Sequence, residues 1–316
     1  MLCTIRCMDR TRFLPFVAAP DNLDFRQATA DAGAGFHAVP MHGITDFKAL
    51  ATLRRLIRKH HIDLVHTHLG ISTVLGVSAA WSCGIPCVTT RHFIQDRYVA
   101  MASPVKRAAF FHAYRFLNGR AKRIICVSRA VRDAVEEREQ PGAGKCVVIP
   151  NGVSLPHRPA DTEPPDAHTW TLPFERPAPC RRLVACIARL APEKGLDTLL
   201  HATAQCVRQG LDIEVAVAGH GPLRGQLRDL IMKLGLEHRV HLPGFLHNIP
   251  DFLDAAELFV LPAIEEPFGI ALVEAMAAGL PAVASASGGP LEIIEQGKSG
   301  LLVPPGNPDA LAGAMA

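Results

Sequence analysis

Several things are scarce in this sequence of 316 residues, and each scarcity removes a class of function. No stretch of 18 apolar residues occurs, although 48% of the chain is hydrophobic, so no segment reads as a membrane-spanning helix. Aromatic residues make up only 6%, with two Trp and two Tyr, and no nucleic-acid-binding motif accompanies them, so no nucleic-acid partner is expected. The nine cysteines form no Cys-x-x-Cys pair, and their odd number gives no disulfide framework, which is the pattern of reduced thiols in a cytoplasmic protein. No Asp-x-Asp pair is present to hold a divalent cation. His66-Thr67-His68 has the look of a metal motif, but it ends a strand and has no carboxylate or cysteine cluster beside it, so no metal site is expected. Residues 1–12 carry Arg6, Asp9 and Arg10 and lack the apolar core of a signal peptide.

What is present is the balance of a globular protein, with 20% charged residues and a length that suits two domains. The net charge of +3 conceals an asymmetry. Residues 1–160 hold 22 Lys/Arg against 11 Asp/Glu, whereas residues 161–316 hold 11 against 19. A basic half joined to an acidic half suggests that the first half meets something anionic. One basic helix carries Lys48, Arg54, Arg55, Arg58 and Lys59; a second basic stretch carries Lys106, Arg107, Arg115, Arg120, Lys122 and Arg123 among Phe110, Phe111, Tyr114 and Phe116. These faces suit peripheral contact with an anionic membrane, and they suit ordinary solvation as well.

Short apolar runs alternate with helix-period segments along both halves. In the first half, strands are expected at 12–19, 36–40, 62–67, 85–90, 124–128 and 146–150, with helices at 22–32, 47–60, 71–83, 105–119 and 130–137 between them. Residues 154–179 are polar and rich in proline, the composition of an interdomain linker. The alternation then restarts, with strands at 183–187, 213–218, 240–242, 258–262, 280–285 and 300–303 and helices at 196–208, 223–234, 249–256, 267–278, 291–295 and 308–316. The rhythm implies α/β architecture with a parallel, doubly wound sheet in each of two domains, 1–153 and 180–316.

One unit of the second half carries the most chemistry. A strand ending at Pro262 leads through Glu265-Glu266-Pro267-Phe268-Gly269 into a helix, where Pro267 suits the first turn and Gly279 the stop. In a parallel sheet such a helix mouth lies at the carboxyl ends of the strands, where ligands bind. Free N–H groups of the first turn, at Gly269, Ile270, Ala271 and Leu272, suit a diphosphate, and Gly269 permits close approach. Glu274, two turns in, can accept hydrogen bonds from the vicinal hydroxyls of a ribose, and Glu266 from those of a second polyol. A solvated Glu265-Glu266 pair and a surface Glu274 fit the same spacing. Elsewhere, Arg189 and Lys194 flank a loop after a strand and can neutralise a diphosphate leaving group. Gly219 and Gly221 make a tight turn after the next strand, and Gly244-Phe245 follows the one after that.

The Glu266-Pro267-Phe268-Gly269 run, with seven residues between Glu266 and the Glu274 of Glu274-Ala275-Met276-Ala277, resembles the Glu–seven residues–Glu signature of the family 4 glycosyltransferases, with Pro267 in place of the usual first glycine. The resemblance implies the GT-B fold: two Rossmann-type domains facing a cleft, with the donor nucleotide sugar held by the second. It implies transfer of a sugar, with retention, from a nucleoside-diphosphate sugar to the hydroxyl of a carbohydrate or lipid-linked acceptor, in cell-envelope or exopolysaccharide synthesis. No cofactor and no metal are implied. Arg189 and Lys194 would hold the diphosphate, Glu274 the ribose, Glu266 the sugar, and Gly219, Gly221, Gly244 and Phe245 would lie by the base. His92, at a strand end of the first domain, would face the donor sugar, with Ser128 and Asn151-Gly152 near the cleft.

Family chains open with a strand and a Gly-rich loop and close with a segment that crosses back. By that resemblance both ends are incomplete here, the first by about one βα unit, and donor binding with weak turnover is expected. Two other readings remain: a non-catalytic nucleotide-sugar-binding remnant, and a nucleotide-sugar epimerase, which shares the fold but would require acid/base residues in place of the Arg/Lys and Glu pair.

Overall fold

The computed structural model describes residues 2–68, 70–94, 104–154 and 181–316, except for the side chains of 104–107, 109–111 and 113. The expected linker therefore lies, apart from Ser154, outside the described residues, as do the side chains of Lys106, Arg107, Phe110 and Phe111. The chain divides into two compact units, Met1–Gly152 and Val153–Ala316. No helix among the described residues is long and apolar enough to cross a membrane.

The first unit runs α1 (Leu2–Arg6), β1 (Phe16–Ala19), α2 (Leu23–Asp31), β2 (Gly35–Ala38), α3 (Phe47–Lys59), β3 (Val65–His68), α4 (Gly70–Ser82), β4 (Cys87–Arg91), α5 (Pro104–Arg120), β5 (Arg123–Cys126), α6 (Arg129–Glu139) and β6 (Cys146–Val148). Local chemistry sets the helix starts. Asn22, Asp46 and Ser128 each accept the N–H three residues on, capping α2, α3 and α6. Helix α3 buries Ala49, Leu53 and Ile57 and turns its basic residues outward, as its periodicity implies. Helix α4 carries no charged residue and buries Thr73 to Val77 with Ala79 and Ala80.

All strand pairings here are parallel, but they form two sheets, β1-β2 and β3-β4-β5-β6, rather than the single sheet expected from the alternation. The reason lies in the ladders: among the described residues β1 bonds only to β2, and β3 only to β4. A small core of Ile5, Val17, Ala32 and Ala34 serves the first sheet, and separate clusters around Leu53–Leu75 and Val77–Tyr114 serve α3, α4 and α5.

The second unit runs β7 (Arg182–Ile187), a 3-10 turn at Pro192–Lys194, α7 (Leu196–Arg208), β8 (Ile213–Ala218), α8 (Arg224–Leu234), β9 (Val240–Gly244), α9 (Ile249–Asp254), β10 (Leu258–Leu261), α10 (Ile270–Ala277), β11 (Ala282–Ser285), α11 (Pro290–Ile293), β12 (Leu301–Val303) and α12 (Pro308–Met315). Its six strands form one parallel sheet in the order β12-β11-β10-β7-β8-β9. Chain order reverses between β7 and β10, the switch point of a doubly wound sheet.

Alternation along β7 divides the core. Val184 and Cys186 join α7, α8 and α12 in a cluster built on Leu199, Leu200, Val215 and Leu311. Leu183 and Ala185 join α9 and α10 in a cluster built on Phe252, Phe259 and Leu272. A sheet buried on both faces needs such near-continuous apolar strands.

One boundary differs from expectation. Helix α10 begins at Ile270, so Pro267 lies ahead of it and not in its first turn. Gly269 has φ +100°, a left-handed conformation that cannot continue a right-handed helix, and it sets the start.

Phe259 is fully buried in the centre of the second unit's sheet. Phe259→Ala is expected to cost about 3–5 kcal/mol, read as a lower urea midpoint with an unchanged slope.

Candidate functional site

The carboxyl edge of the second sheet gathers loops from four strands. After β7, residues 188–195 carry Arg189 and, at the end of the 3-10 turn, Lys194. After β10, residues 262–269 carry Glu265 and Glu266. Because β7 and β10 are neighbours, with Phe259 level with Ala185, the two loops emerge side by side. Backbone bonds lock them: the N–H groups of Ile264 and Glu265 both donate to the Glu193 carbonyl, at 2.9 and 3.2 Å. Lys194 Nζ then reaches Glu266 Oε2 at 2.7 Å, with both side chains largely buried, 17% and 11% exposed. An ion pair so enclosed feels a lower effective dielectric than a surface pair.

The loop after β11 closes the other side of Glu266. The Gly289 N–H donates to the Glu266 carbonyl at 2.8 Å, and Ser287 Oγ donates to the Ile264 carbonyl at 2.7 Å. Arg189 is ion-paired with Glu193, four residues on and more exposed.

Helix α10 opens on this loop. Its N-cap is Gly269, which offers no side chain to its first turn, in contrast to Asn248 and Asn307, which cap α9 and α12. The first-turn N–H groups of Ile270, Ala271 and Leu272 have no intrahelical acceptor. A Cβ on Gly269 would meet its nearest atoms at 3.4–3.7 Å, so the glycine is required by its φ rather than by a close approach. Leu272 is fully buried beneath, and Ile270 is half exposed. Glu274 is half-buried, and burial pushes its carboxyl above the ordinary carboxylate range.

Gly219 and Gly221, expected beside a ligand, have a packing role here. A Cβ on Gly219 would stand 2.0 Å from the Ala188 carbonyl, and one on Gly221 2.2 Å from that of Leu190. They let the turn after β8 press against the Arg189 loop, where Leu190 N–H donates to the His220 carbonyl at 2.9 Å. Gly244 accepts from the Gly219 N–H at 2.7 Å, past a register shift between β8 and β9 that contains Pro243. Phe245, next to it, is 64% exposed and meets His247 edge-on at 5.1 Å.

Arg189, Lys194, Glu266, Gly269 and the start of α10 are thus one neighbourhood, at the switch point. Sequence reading did not pair Lys194 with Glu266, 72 residues apart, and it passed over Ser287 and Gly289, whose only signal is a Gly-Gly-Pro run after an apolar strand.

His92 belongs to the first unit, one residue beyond β4. His66, His68, Thr90 and His92 share one face of β3 and β4, because side chains two apart on a strand point the same way and His68 pairs with Thr90. His68 Nδ1 lies 3.0 Å from His92 Nε2, the His66 ring lies tilted against His68 with ring centroids 4.3 Å apart, and His66 Nε2 bonds Thr90 Oγ1 at 2.7 Å. Partial burial pulls His68 and His92 below their ordinary value, His68 to about 3, and His66, the most exposed of the three, shifts the same way. Among the described residues, no group of three or more His, Cys, Asp or Glu is placed to hold a metal ion. Ser128 is the N-cap of α6.

Comparison with known proteins joins the two units. Residues 9–156 match the model of Glycosyltransferase Family 4, and residues 172–316 that of Glycosyl transferases group 1. A glycosyltransferase of Methanocaldococcus jannaschii is 29% identical over 79% of this chain and 64% of its own length. The UDP-Gal:α-D-GlcNAc-diphosphoundecaprenol α-1,3-galactosyltransferase of Escherichia coli is 28% identical over 86% of this chain and 70% of its own. The chain thus spans about two thirds of the length of these curated relatives. Among solved structures, Anabaena HepE in complex with UDP and glucose superposes with a TM-score of 0.77 at 26% identity, over 94% of this chain and 80% of that one.

The partly buried His68 gives a signed pH effect. An unfolded chain protonates this histidine near 6.5, whereas the folded one resists until about 3. Its contribution to stability is therefore complete above about pH 6.5 and is lost progressively as pH falls toward about 3. Thermal melts should show a lower midpoint at pH 5 than at pH 7.5, and His68→Leu should flatten that slope.

Proposed function

The chain belongs to the family 4 glycosyltransferases, and from that premise we propose that it transfers a hexose from a nucleoside-diphosphate sugar to an acceptor hydroxyl with retention of configuration. The observation that carries this reading is the Lys194–Glu266 pair, 2.7 Å apart at the switch point of the second sheet and beside the first turn of α10. A diphosphate laid on that turn meets unpaired N–H groups and the positive end of the helix. Lys194 and Arg189 add two cations, which stabilise the charge that develops as the sugar leaves. Each is held by a carboxylate, Glu266 and Glu193, that positions it before the donor arrives.

Glu274 accepts the ribose hydroxyls from its half-buried position, and Glu266 directs its carboxylate at the sugar. Gly244 and Phe245 border the base. His92 hydrogen-bonds a hydroxyl of the transferred sugar or of the acceptor. On the retaining path, an oxygen of the departing diphosphate takes the acceptor proton on the same face. The cations and the helix start supply the positive field, so the reaction needs neither a divalent metal nor a cofactor.

The complex of HepE with UDP and glucose supports a uridine diphosphate hexose as donor, and the diphosphoundecaprenol acceptor named for the E. coli relative supports a saccharide or lipid-linked acceptor. A cytoplasmic place, with peripheral contact to the anionic inner face of a membrane, fits the basic first half and the exposed Trp81 and Phe116 that flank Arg120.

The test is transfer from a panel of UDP-hexoses to saccharide acceptors, followed by anomeric analysis of the product. Lys194→Ala should lower the rate on the order of 100- to 1000-fold, whereas Glu265→Ala should stay near wild type. Equal rates for the two variants would refute the assignment. UDP affinity by calorimetry should not change in the presence of a chelator; affinity that vanishes there and returns with magnesium or manganese would overturn the metal-independent reading.

A further inference from the structure

We propose that His68 is a positioning residue for His92: it holds the His92 imidazole in its Nε2–H tautomer, so that Nδ1 is presented as a hydrogen-bond acceptor to a sugar hydroxyl. The catalytic part of this inference rests on the glycosyltransferase reading, whereas the tautomer does not.

Geometry carries the case. His68 Nδ1 and His92 Nε2 are 3.0 Å apart, a hydrogen-bond distance with one proton to share. Neither ring is charged at neutral pH, since burial lowers both. One ring must therefore donate and the other accept, and the role of His92 Nε2 dictates the opposite role for its Nδ1. The Nε2–H form is the intrinsically favoured tautomer of a neutral histidine. It is the form that lets His92 donate to the Nδ1 lone pair of His68 while His68 itself keeps the same favoured tautomer. Among the described residues His92 Nδ1 has no partner, which leaves it for a ligand.

The scaffold around the pair is firm on both strands. Ser72 Oγ donates to the His68 carbonyl, and the Tyr114 hydroxyl donates to the Gly70 carbonyl at 3.2 Å. On the other strand Arg91, the residue before His92, is buried: it donates to Thr89 Oγ1 at 2.9 Å, Asn118 Oδ1 at 2.8 Å and Glu139 Oε2 at 3.0 Å, and lies 4.7 Å from the centre of the Tyr114 ring. The His66 ring lies tilted against His68, with 4.3 Å between ring centroids, and occupies the space on one side of it. A side chain whose own orientation is fixed in this way can fix that of the next.

Long-range proton–nitrogen correlation spectra of the intact chain at neutral pH read each tautomer directly, with the His92 signals assigned by their loss in His92→Asn. The expected result is His92 protonated at Nε2 alone. In His68→Leu its two nitrogens should move toward a tautomer average. In His68→Asn, whose amide oxygen can stand near the place of Nδ1, the single tautomer should return.

Transfer assays should follow the spectra, with kcat about tenfold lower in His68→Leu and restored in His68→Asn, while UDP affinity stays constant. His92 found protonated at Nδ1, or unchanged in His68→Leu, would overturn the inference, and so would a leucine variant with altered spectra and an unaltered kcat. Absence of any transfer by the wild-type chain would instead count against the glycosyltransferase reading, and the tautomer spectra would still decide the role of His68.

Discussion

Parallel pairing of β7 with β10 is the constraint on which the second unit depends. Two strands separated by more than 70 residues lie edge to edge, so the loops that leave their carboxyl ends must emerge together. The Glu193 carbonyl ties those loops by two backbone bonds, and the Lys194–Glu266 pair spans what remains. A cation and an anion kept largely from water cost desolvation, and their mutual contact offsets that cost. The result is a lysine whose ammonium is placed before any anionic ligand comes, which is what preorganised stabilisation of a leaving group requires.

The same sheet explains why glycines cluster along this edge. Four loops crowd into the space above neighbouring strands, about 4.8 Å apart. Gly219 and Gly221 yield room to the carbonyls of Ala188 and Leu190, and Gly289 to the backbone of Phe268. Gly269 serves differently, through a left-handed conformation that ends the Glu266 loop and starts α10 with no side-chain cap. Close packing of backbone and an uncapped helix start are both needed if an anion is to sit on main-chain N–H groups.

In the first unit the period of two along a strand does comparable work. His66 and His68 fall on one face of β3, and Thr90 and His92 on the same face of β4, so a row of imidazoles forms without any local sequence cluster joining β3 to β4. Partial burial lowers the proton affinity of His68 and His92 and leaves them dependent on hydrogen bonding, which makes tautomers matter.

The sequence by itself determined the alternation of strands and helices, because apolar periodicity and caps are local: α7 and β8 begin and end where their residues imply, and the capping residues Asn22, Asp46 and Ser128 lie where the helices start. It also determined the family, since the Glu266–Glu274 spacing and the Arg189–Lys194 loop are legible as motifs. What it left open is what depends on neighbours distant in the chain. Only the tertiary structure decided that Lys194 closes on Glu266, that Gly219 serves packing, that the first unit's strands form two sheets, and that His68 meets His92. It also placed Glu214, the carboxylate of β8, against Arg181 and His241 at 3.1 Å each. Strand order and register bring these groups together, and neither is written in any window of sequence: both follow from which edges pair, a choice made by the whole core at once.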